Sequence, residues 1–138
     1  MNRALVLSGE LRAQIEENAR AALPRECCGL IEGVRAQARA IALHPVRNLA
    51  REDDRFEIDP ADHIRLRRAL RGSGREIIGC YHSHPDGRPE LSARDRDSVA
   101  GDDFIWLVAA VAGGEFALAA FTSSEADAIS PLPLAPIV

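Results

Sequence analysis

The chain contains no lysine, and all 17 of its basic residues are arginine. This absence excludes Schiff-base catalysis by a lysine amine, and it also excludes a P-loop nucleotide site, which requires a lysine. The formal net charge is −4, so the basic residues do not confer a general affinity for nucleic acid or for anionic membranes. We therefore expect neither nucleic acid nor a membrane as a partner.

Cysteines and long apolar runs are also scarce. The three cysteines, Cys27, Cys28 and Cys80, form no C-x-x-C pair, so reduced thiols are expected rather than a disulfide scaffold. No apolar run approaches the ~20 residues that a membrane-spanning helix needs. No charged and then apolar leader precedes Leu5, which favours a cytoplasmic location.

The length of 138 residues is sufficient for one domain with its own core. Apolar periodicity predicts strands at residues 3–8, 27–34, 36–43, 76–81, 104–112 and 115–122, and helices at 9–23, 60–71 and 92–100. Ser8 and Asp59 are candidate N-caps, residues 44–55 are expected to form a loop, and Gly113-Gly114 predicts a hairpin. The predicted fold is mixed α+β, with a domain at residues 1–122 and a proline-rich tail at 123–138. Three states are open to this tail: packing along the domain, disorder, or docking on a partner; a loosely packed terminus is the one expected.

The stretch from residue 79 to residue 95 carries the clearest chemical pattern. His82 and His84 are two residues apart, so a strand would place both imidazoles on one face until Pro85 ends it. Ser92 and Asp95 follow in the first turn of the next predicted helix, three residues apart and on one side. Two imidazoles and one carboxylate are the donor set of a catalytic zinc site that keeps one position open for water.

Each half of this pattern also has a structural explanation. An H-x-H pair arises by chance at the ends of strands, where both imidazoles can simply be hydrogen-bonded. The S-x-x-D pair is a common helix cap, in which the Ser92 hydroxyl accepts a hydrogen bond from the backbone N–H of Asp95. The H-x-H pair alone or the S-x-x-D pair alone therefore favours a structural role. The two pairs together, at a fixed spacing along the chain, favour a metal site.

The combined pattern resembles the signature of the JAMM (MPN-plus) metallopeptidases, H-x-H-P followed by S-x-x-D. That family also has an upstream glutamate in a P-x-E-x-C-G context, and here Pro24 to Gly29 read P-R-E-C-C-G. The resemblance spans roughly residues 8–122. It implies a curved, mixed β-sheet flanked by helices, an MPN or cytidine-deaminase-like architecture.

The resemblance also implies a role for each residue of the motif. Zn²⁺ would be held by His82, His84 and Asp95, and would activate a water molecule. Glu26 would act as the general base and then as the general acid that protonates the leaving amine. Ser92 would donate a hydrogen bond to the developing oxyanion.

Family members with a complete motif cut amide bonds after the C-terminal glycine of ubiquitin or a ubiquitin-like protein. The compact chain is most similar to the small bacterial branch, some of whose members remove cysteine or another group from a sulfur-carrier protein. The implied partner is thus a ubiquitin-like or sulfur-carrier protein that ends in Gly-Gly. Two alternatives are a zinc peptidase acting on ordinary peptides or small amides, and a non-catalytic MPN-type scaffold that binds protein partners. The sequence does not determine the oligomeric state.

The remaining histidines and cysteines are predicted to be structural. His44 precedes a proline in the expected loop, and His63 lies on the inner face of its helix. Cys80 is interpreted as a small core residue two positions before His82. Cys27 and Cys28 have no base at a recognisable spacing, which argues against a cysteine nucleophile.

Overall fold

The computed structural model describes residues 4–53, 56–91, 104–123 and 129–137. Within these ranges the chain forms two helices and eight strands, with a 3-10 turn at Arg35–Gln37. In chain order, the elements are β1 (Leu5–Ser8), α1 (Gly9–Ala22), β2 (Cys28–Val34), β3 (Arg39–Val46), α2 (Pro60–Leu70), β4 (Glu76–His84), β5 (Ile105–Ala112), β6 (Glu115–Ser123), β7 (Ile129–Leu132) and β8 (Leu134–Ile137).

All eight strands belong to one sheet in the order β7-β6-β5-β4-β2-β3-β1-β8. Strand β4 runs parallel to β5, and β1 runs parallel to both β3 and β8, whereas the other neighbours are antiparallel. This is the curved, mixed α+β architecture that the sequence predicts.

Both helices begin at the predicted caps. The side chain of Ser8 accepts a hydrogen bond of 3.1 Å from the Leu11 backbone N–H at the start of α1. Asp59 does the same for Ala61 at 2.9 Å, with Pro60 as the first helical residue of α2. Such caps satisfy backbone N–H groups that have no partner within the helix. Among the residues described, neither helix is long and apolar enough to cross a membrane.

The sheet has an apolar core on each face. On one face, α1 packs Leu11, Ile15 and Ala19 against the strands. The apolar periodicity also predicts Ala22 and Leu23 on this face, but Leu23 follows the last helical residue and is 44% exposed. On the other face, Leu66 and Leu70 of α2 pack against a smaller core. The buried members of this second core are Leu30, Ile77, Cys80, Leu91, Phe104, Trp106 and Val108.

A bulge in β4 determines which side chains face α2. Ile31 of β2 pairs with Gly79, but its neighbour Glu32 pairs with Ile77, so Ile78 is an extra residue on β4. As a result Ile78 joins the α1 core, whereas Ile77 and Cys80 belong to the α2 core. From Cys80 to the end of β4, successive side chains alternate between the two faces of the sheet. Cys80, His82 and His84 are therefore on the face that carries α2.

The second strand of the first hairpin starts later than predicted. The alternating alanines favour a strand at residues 36–43, but Arg35–Gln37 forms a 3-10 turn, and Ala38 adopts a left-handed conformation with φ of 48°. Strand β3 therefore runs from Arg39 to Val46, and His44 is a strand residue rather than a loop residue. The predicted helix at residues 92–100 lies outside the described residues.

The C-terminal segment is not loosely packed where the structure describes it, so that prediction was wrong. Strand β7 pairs with β6 at one end of the sheet order, and β8 pairs with β1 at the other end. Only Pro133 separates these two strands, and its carbonyl accepts a 2.8 Å hydrogen bond from the Leu5 N–H. Because β7 and β8 each have one partner strand in the part of the chain that the structure describes, proline residues are compatible with both. The division at residue 123 stays a prediction.

Candidate metal-binding and catalytic site

Three buried polar side chains converge at the end of β4. Glu26, His82 and His84 are 5%, 0% and 6% exposed, respectively. One carboxylate oxygen and one ring nitrogen from each histidine lie within 4.8 Å of one another, close enough to hold a metal ion together. The sequence interval between Glu26 and His82 is 56 residues, so the fold rather than local sequence creates this cluster.

The antiparallel pairing of β2 and β4 brings the glutamate to the histidines. Cys28, the first residue of β2, pairs with His82. The pairing continues beyond β2, because the Ser83 N–H donates to the Cys27 carbonyl at 3.1 Å and the Ser83 hydroxyl accepts from the Cys27 N–H at 2.7 Å. Ser83 thus fixes the backbone next to Glu26 against the strand segment that carries both histidines.

We expect Ser83→Ala to lower the free energy of unfolding by about 1–3 kcal/mol. The Ser83 side chain is fully buried, and removing its hydroxyl leaves the backbone N–H of Cys27 without an acceptor. Urea denaturation of the purified protein measures this change. The matched control is Ser130→Ala on the exposed part of β7, where a change within about 0.5 kcal/mol is expected. Equal effects of the two substitutions would contradict the role of Ser83 as a clamp.

The turn after β4 sets the protonation pattern of His84. The Nδ1 atom lies 2.8 Å from the Arg88 carbonyl oxygen. Because a carbonyl only accepts, Nδ1 carries a proton, and in the neutral imidazole the lone pair is then on Nε2, which faces the cluster. Two hydrogen bonds close this turn: the Gly87 N–H donates to the His84 carbonyl at 3.2 Å, and the Arg88 N–H donates to the Asp86 carboxylate at 2.9 Å. Gly87 has a positive φ of 80°, which reverses the chain direction.

The spacing of the two imidazoles fits a metal of tetrahedral geometry. Their Nε2 atoms are 3.2 Å apart. Two nitrogens bound to one tetrahedral zinc at the usual bond length are separated by about 3.3 Å. Two imidazole nitrogens and a nearby carboxylate oxygen also match the ligands that zinc prefers. The residues present therefore suit the ion that the motif implies.

Two residues of the segment after β3, neither of which the sequence pattern predicts, contact the site residues. The Phe56 ring stacks on the His82 imidazole, with 4.3 Å between centroids and 17° between planes. The Asn48 amide donates to the Glu26 carbonyl at 2.9 Å, and its oxygen accepts from the Glu57 N–H at 3.0 Å. No local pattern marks either residue, because each acts through a contact that only the folded chain creates.

The cysteines near the site are poor nucleophiles. Burial raises the pKa of the Cys28 thiol to about 12, and neighbouring Cys27 and Glu26 charges act in the same direction. Burial also raises the pKa of the Cys27 thiol. Both thiols are thus protonated at neutral pH, in agreement with the prediction. Cys80 is buried in the α2 core on the same face as His82.

The two other histidines are occupied elsewhere, as predicted. The His44 ring lies 2.8 Å from the Glu32 carboxylate, which also binds Arg75 at 3.1 Å. The His63 ring accepts a 2.8 Å hydrogen bond from Arg67, and burial together with that guanidinium lowers the pKa of His63. Neither histidine belongs to the cluster at the end of β4.

Ser92 and Asp95 lie outside the described residues, so their proposed roles stay predictions. Leu91, the last residue described before them, is buried in the α2 core. Of the five residues predicted to act in the site, the structure brings three together: Glu26, His82 and His84.

Comparisons with known proteins agree with the geometry. A family model of prokaryotic homologs of the JAB domain matches residues 8–123. A protein named desampylase, from Haloferax volcanii, is 32% identical over 109 residues, which cover 75% of this chain and 78% of that protein.

Solved structures show the same fold. A solution structure of a Desulfitobacterium hafniense protein has a TM-score of 0.83 at 24% identity and covers 96% of this chain and 92% of that one. A JAB1/MPN domain protein from Archaeoglobus fulgidus has a TM-score of 0.60 at 16% identity, covering 98% of this chain and all of that one. The family match, the sequence motif and the shared fold agree, and the chain belongs to the prokaryotic JAB-domain family of JAMM-type hydrolases.

Proposed function

We propose that this chain is a zinc-dependent amide hydrolase that cleaves after the C-terminal diglycine of a ubiquitin-like or sulfur-carrier protein. The observation that carries the proposal is the buried cluster of Glu26, His82 and His84, whose ligand atoms lie within 4.8 Å. When bound, zinc supplies a Lewis acid that polarises the scissile carbonyl and lowers the pKa of a bound water.

In this proposal His82 and His84 hold the ion and Asp95 completes the ligand set. The Arg88 carbonyl supports this role of His84, because it takes the hydrogen bond of Nδ1–H and so directs the Nε2 lone pair of the neutral imidazole to the ion. The stacked Phe56 ring restricts rotation of the His82 imidazole. Preoriented rings lower the entropic cost of binding the ion.

Glu26 is the proposed proton carrier. Its carboxylate is almost fully buried beside both imidazoles, so it accepts a proton from the attacking water and delivers the proton to the leaving nitrogen. Asn48 and the Ser83 clamp hold both ends of the peptide group that follows Glu26, which keeps this carboxylate in place during both transfers. Ser92 is the proposed donor of a hydrogen bond to the oxyanion.

The substrate class is supported by the similarity to a protein named desampylase and by the resemblance to family members that cut after glycine. A ubiquitin-like protein presents an extended C-terminal diglycine, and two residues without side chains suit a reaction centre made of buried groups. The resemblance to the small bacterial branch of the family, which includes enzymes that act on sulfur carriers, extends the proposal to those carriers.

Intact-mass spectrometry tests the proposal directly. A bacterial sulfur-carrier protein that ends in Gly-Gly plus one further residue is incubated with this protein, in one sample with zinc and in another with a chelator. We expect loss of the terminal residue only in the zinc sample. No cleavage in the zinc sample, with zinc bound, would overturn the substrate assignment and favour ordinary peptides or a scaffold role.

A further inference from the structure

The end of β5 lies beside the turn that follows β4. His84, the last residue of β4, pairs with Ala110, and β5 then continues for two residues to Ala112. Because β4 and β5 run parallel, both strands end at the same edge of the sheet. The turn at residues 85–88 therefore begins next to the part of β5 that extends beyond the end of β4.

Gly87 and Ala112 are in contact across this edge, and the contact leaves no room for a side chain at position 87. A Cβ atom placed on Gly87 would lie 2.8 Å from the Cβ atom of Ala112. Non-bonded carbon atoms are most stable about 3.5–4.0 Å apart. Neither atom belongs to a long side chain that rotates away, so a methyl group at this position would displace either the turn or the strand.

The strand is the more firmly held side of this contact. β5 lies inside the sheet, with β4 and β6 as its two partner strands. The turn between β5 and β6 is also fixed to α1, because the Arg20 guanidinium donates to the carbonyls of residues 113–115 at 3.0–3.5 Å. A methyl group on Gly87 would therefore move the turn at residues 85–88 and leave β5 in place.

This turn carries the hydrogen-bond acceptor of His84. The carbonyl of Arg88, the residue directly after Gly87, lies 2.8 Å from His84 Nδ1. If the carbonyl moves away, the Nδ1–H loses its acceptor, and the proton of the neutral imidazole is no longer kept off Nε2, the nitrogen that faces the cluster. The position of the turn thus controls which ring nitrogen of His84 is available to a metal ion.

We propose that Ala112 is a positioning residue for the metal ligand His84, and that it acts by packing against Gly87. The contact holds the turn where the Arg88 carbonyl accepts from Nδ1–H, so that the Nε2 lone pair is directed to the ion. This inference rests on the proposed function in one point, the binding of zinc by His84. Ala112 is an exposed alanine on a different strand from the motif, so no local pattern in the sequence indicates this role.

Gly87→Ala in the full-length chain tests the proposal, because it adds one methyl group at the contact. We expect zinc affinity to fall by about 10–100-fold, as for other losses of a hydrogen-bonding partner of a metal ligand. Competition with a fluorescent zinc chelator measures the affinity. Ala112→Gly in the same chain removes the opposing methyl group and should restore most of the lost affinity.

The matched control is Gly72→Ala, in the turn after α2. Gly72 has a φ of 82°, against 80° for Gly87, but a Cβ atom placed there meets nothing within 4 Å in the described part of the chain beyond its two chain neighbours. Both substitutions thus place an alanine at the same strained backbone angle, and only Gly87→Ala adds a contact with Ala112. Gly72→Ala should bind zinc like the wild type, and circular dichroism shows whether each variant is folded.

A second measurement needs no metal. Long-range proton–nitrogen correlation spectra of the metal-free protein show which ring nitrogen of the neutral His84 imidazole carries the proton. We expect the proton on Nδ1 in the wild type and in Gly72→Ala. In Gly87→Ala we expect the population of this tautomer to fall, and Ala112→Gly should reverse the change.

The outcomes separate this inference from the proposed function. Unchanged zinc affinity in Gly87→Ala, an equal loss in Gly72→Ala, or a loss that Ala112→Gly does not reverse would overturn the role of Ala112. Absence of zinc binding by the wild-type protein would instead contradict the proposed function. The tautomer of His84 would then decide the inference: a change in Gly87→Ala that Ala112→Gly reverses supports it, and an unchanged tautomer overturns it.

Discussion

Glu26→Gln is expected to leave zinc bound and to reduce turnover by about 10²–10⁴-fold, the usual contribution of a general acid–base residue. Glutamine has nearly the same shape as glutamate and keeps a carbonyl oxygen, but it does not accept a proton at neutral pH. The cluster contains one carboxylate beside two imidazoles. If the imidazoles hold the ion with Asp95, removing the charge of Glu26 stops proton transfer without removing a ligand.

Zinc content by atomic absorption and kcat on the same cleavable carrier are the two measurements required. The matched control is Glu57→Gln, an exposed carboxylate near the site, for which both values should equal those of the wild type. Glu26 is also close enough to the imidazoles to be a ligand itself. Loss of zinc from the Glu26→Gln protein would therefore assign Glu26 to the metal and contradict its role as the base.

The local part of the site could be predicted from the sequence because it depends on short-range geometry. Two histidines two residues apart on a strand share a face whatever the rest of the fold, and the proline after them ends the strand. The structure confirms that β4 ends at His84 and that both imidazoles point into one cluster. The caps at Ser8 and Asp59 were predictable for the same reason, since a cap is a contact within four residues.

The long-range part of the site could not be derived from local pattern. Glu26 reaches the histidines only because β2 pairs with β4, and the 55 residues between Glu26 and His82 carry no signal of that register. The bulge at Ile78 also escaped prediction, because the apolar run of β4 reads the same with or without an extra residue. The resemblance to a known family supplied what periodicity did not.

The tail shows the limit of composition as a guide. Proline-rich termini are usually loosely packed, yet residues 129–137 pair with β6 and with β1. Residues 129–137 thus pair with strands at both ends of the sheet order, and Leu132 is buried, at 9% exposure. Proline is excluded from the interior of a sheet, but among the described residues each of these strands has a partner on one side only, and on its other side the missing N–H costs nothing.

His84→Ala is expected to remove both zinc and turnover, whereas Glu26→Gln is expected to remove turnover alone. His84 Nε2 is held towards His82 Nε2 at 3.2 Å, with its tautomer fixed by the Arg88 carbonyl. Losing the ligand itself should weaken zinc binding by more than the roughly 10–100-fold typical of losing an outer hydrogen-bonding partner. Competition with a fluorescent zinc chelator measures this change in affinity.

The control for His84→Ala is His63→Ala, which removes an imidazole bonded to Arg67 on α2 and should leave zinc affinity unchanged. Circular dichroism on both variants separates loss of the site from loss of the fold. A folded His84→Ala protein that binds zinc as tightly as the wild type would show that the ion is held by other residues, and the cluster at the end of β4 would lose its role as the metal centre. Because Glu26→Gln and His84→Ala alter side chains within 4.8 Å of each other, opposite effects on zinc would assign proton transfer and metal binding to separate members of one cluster.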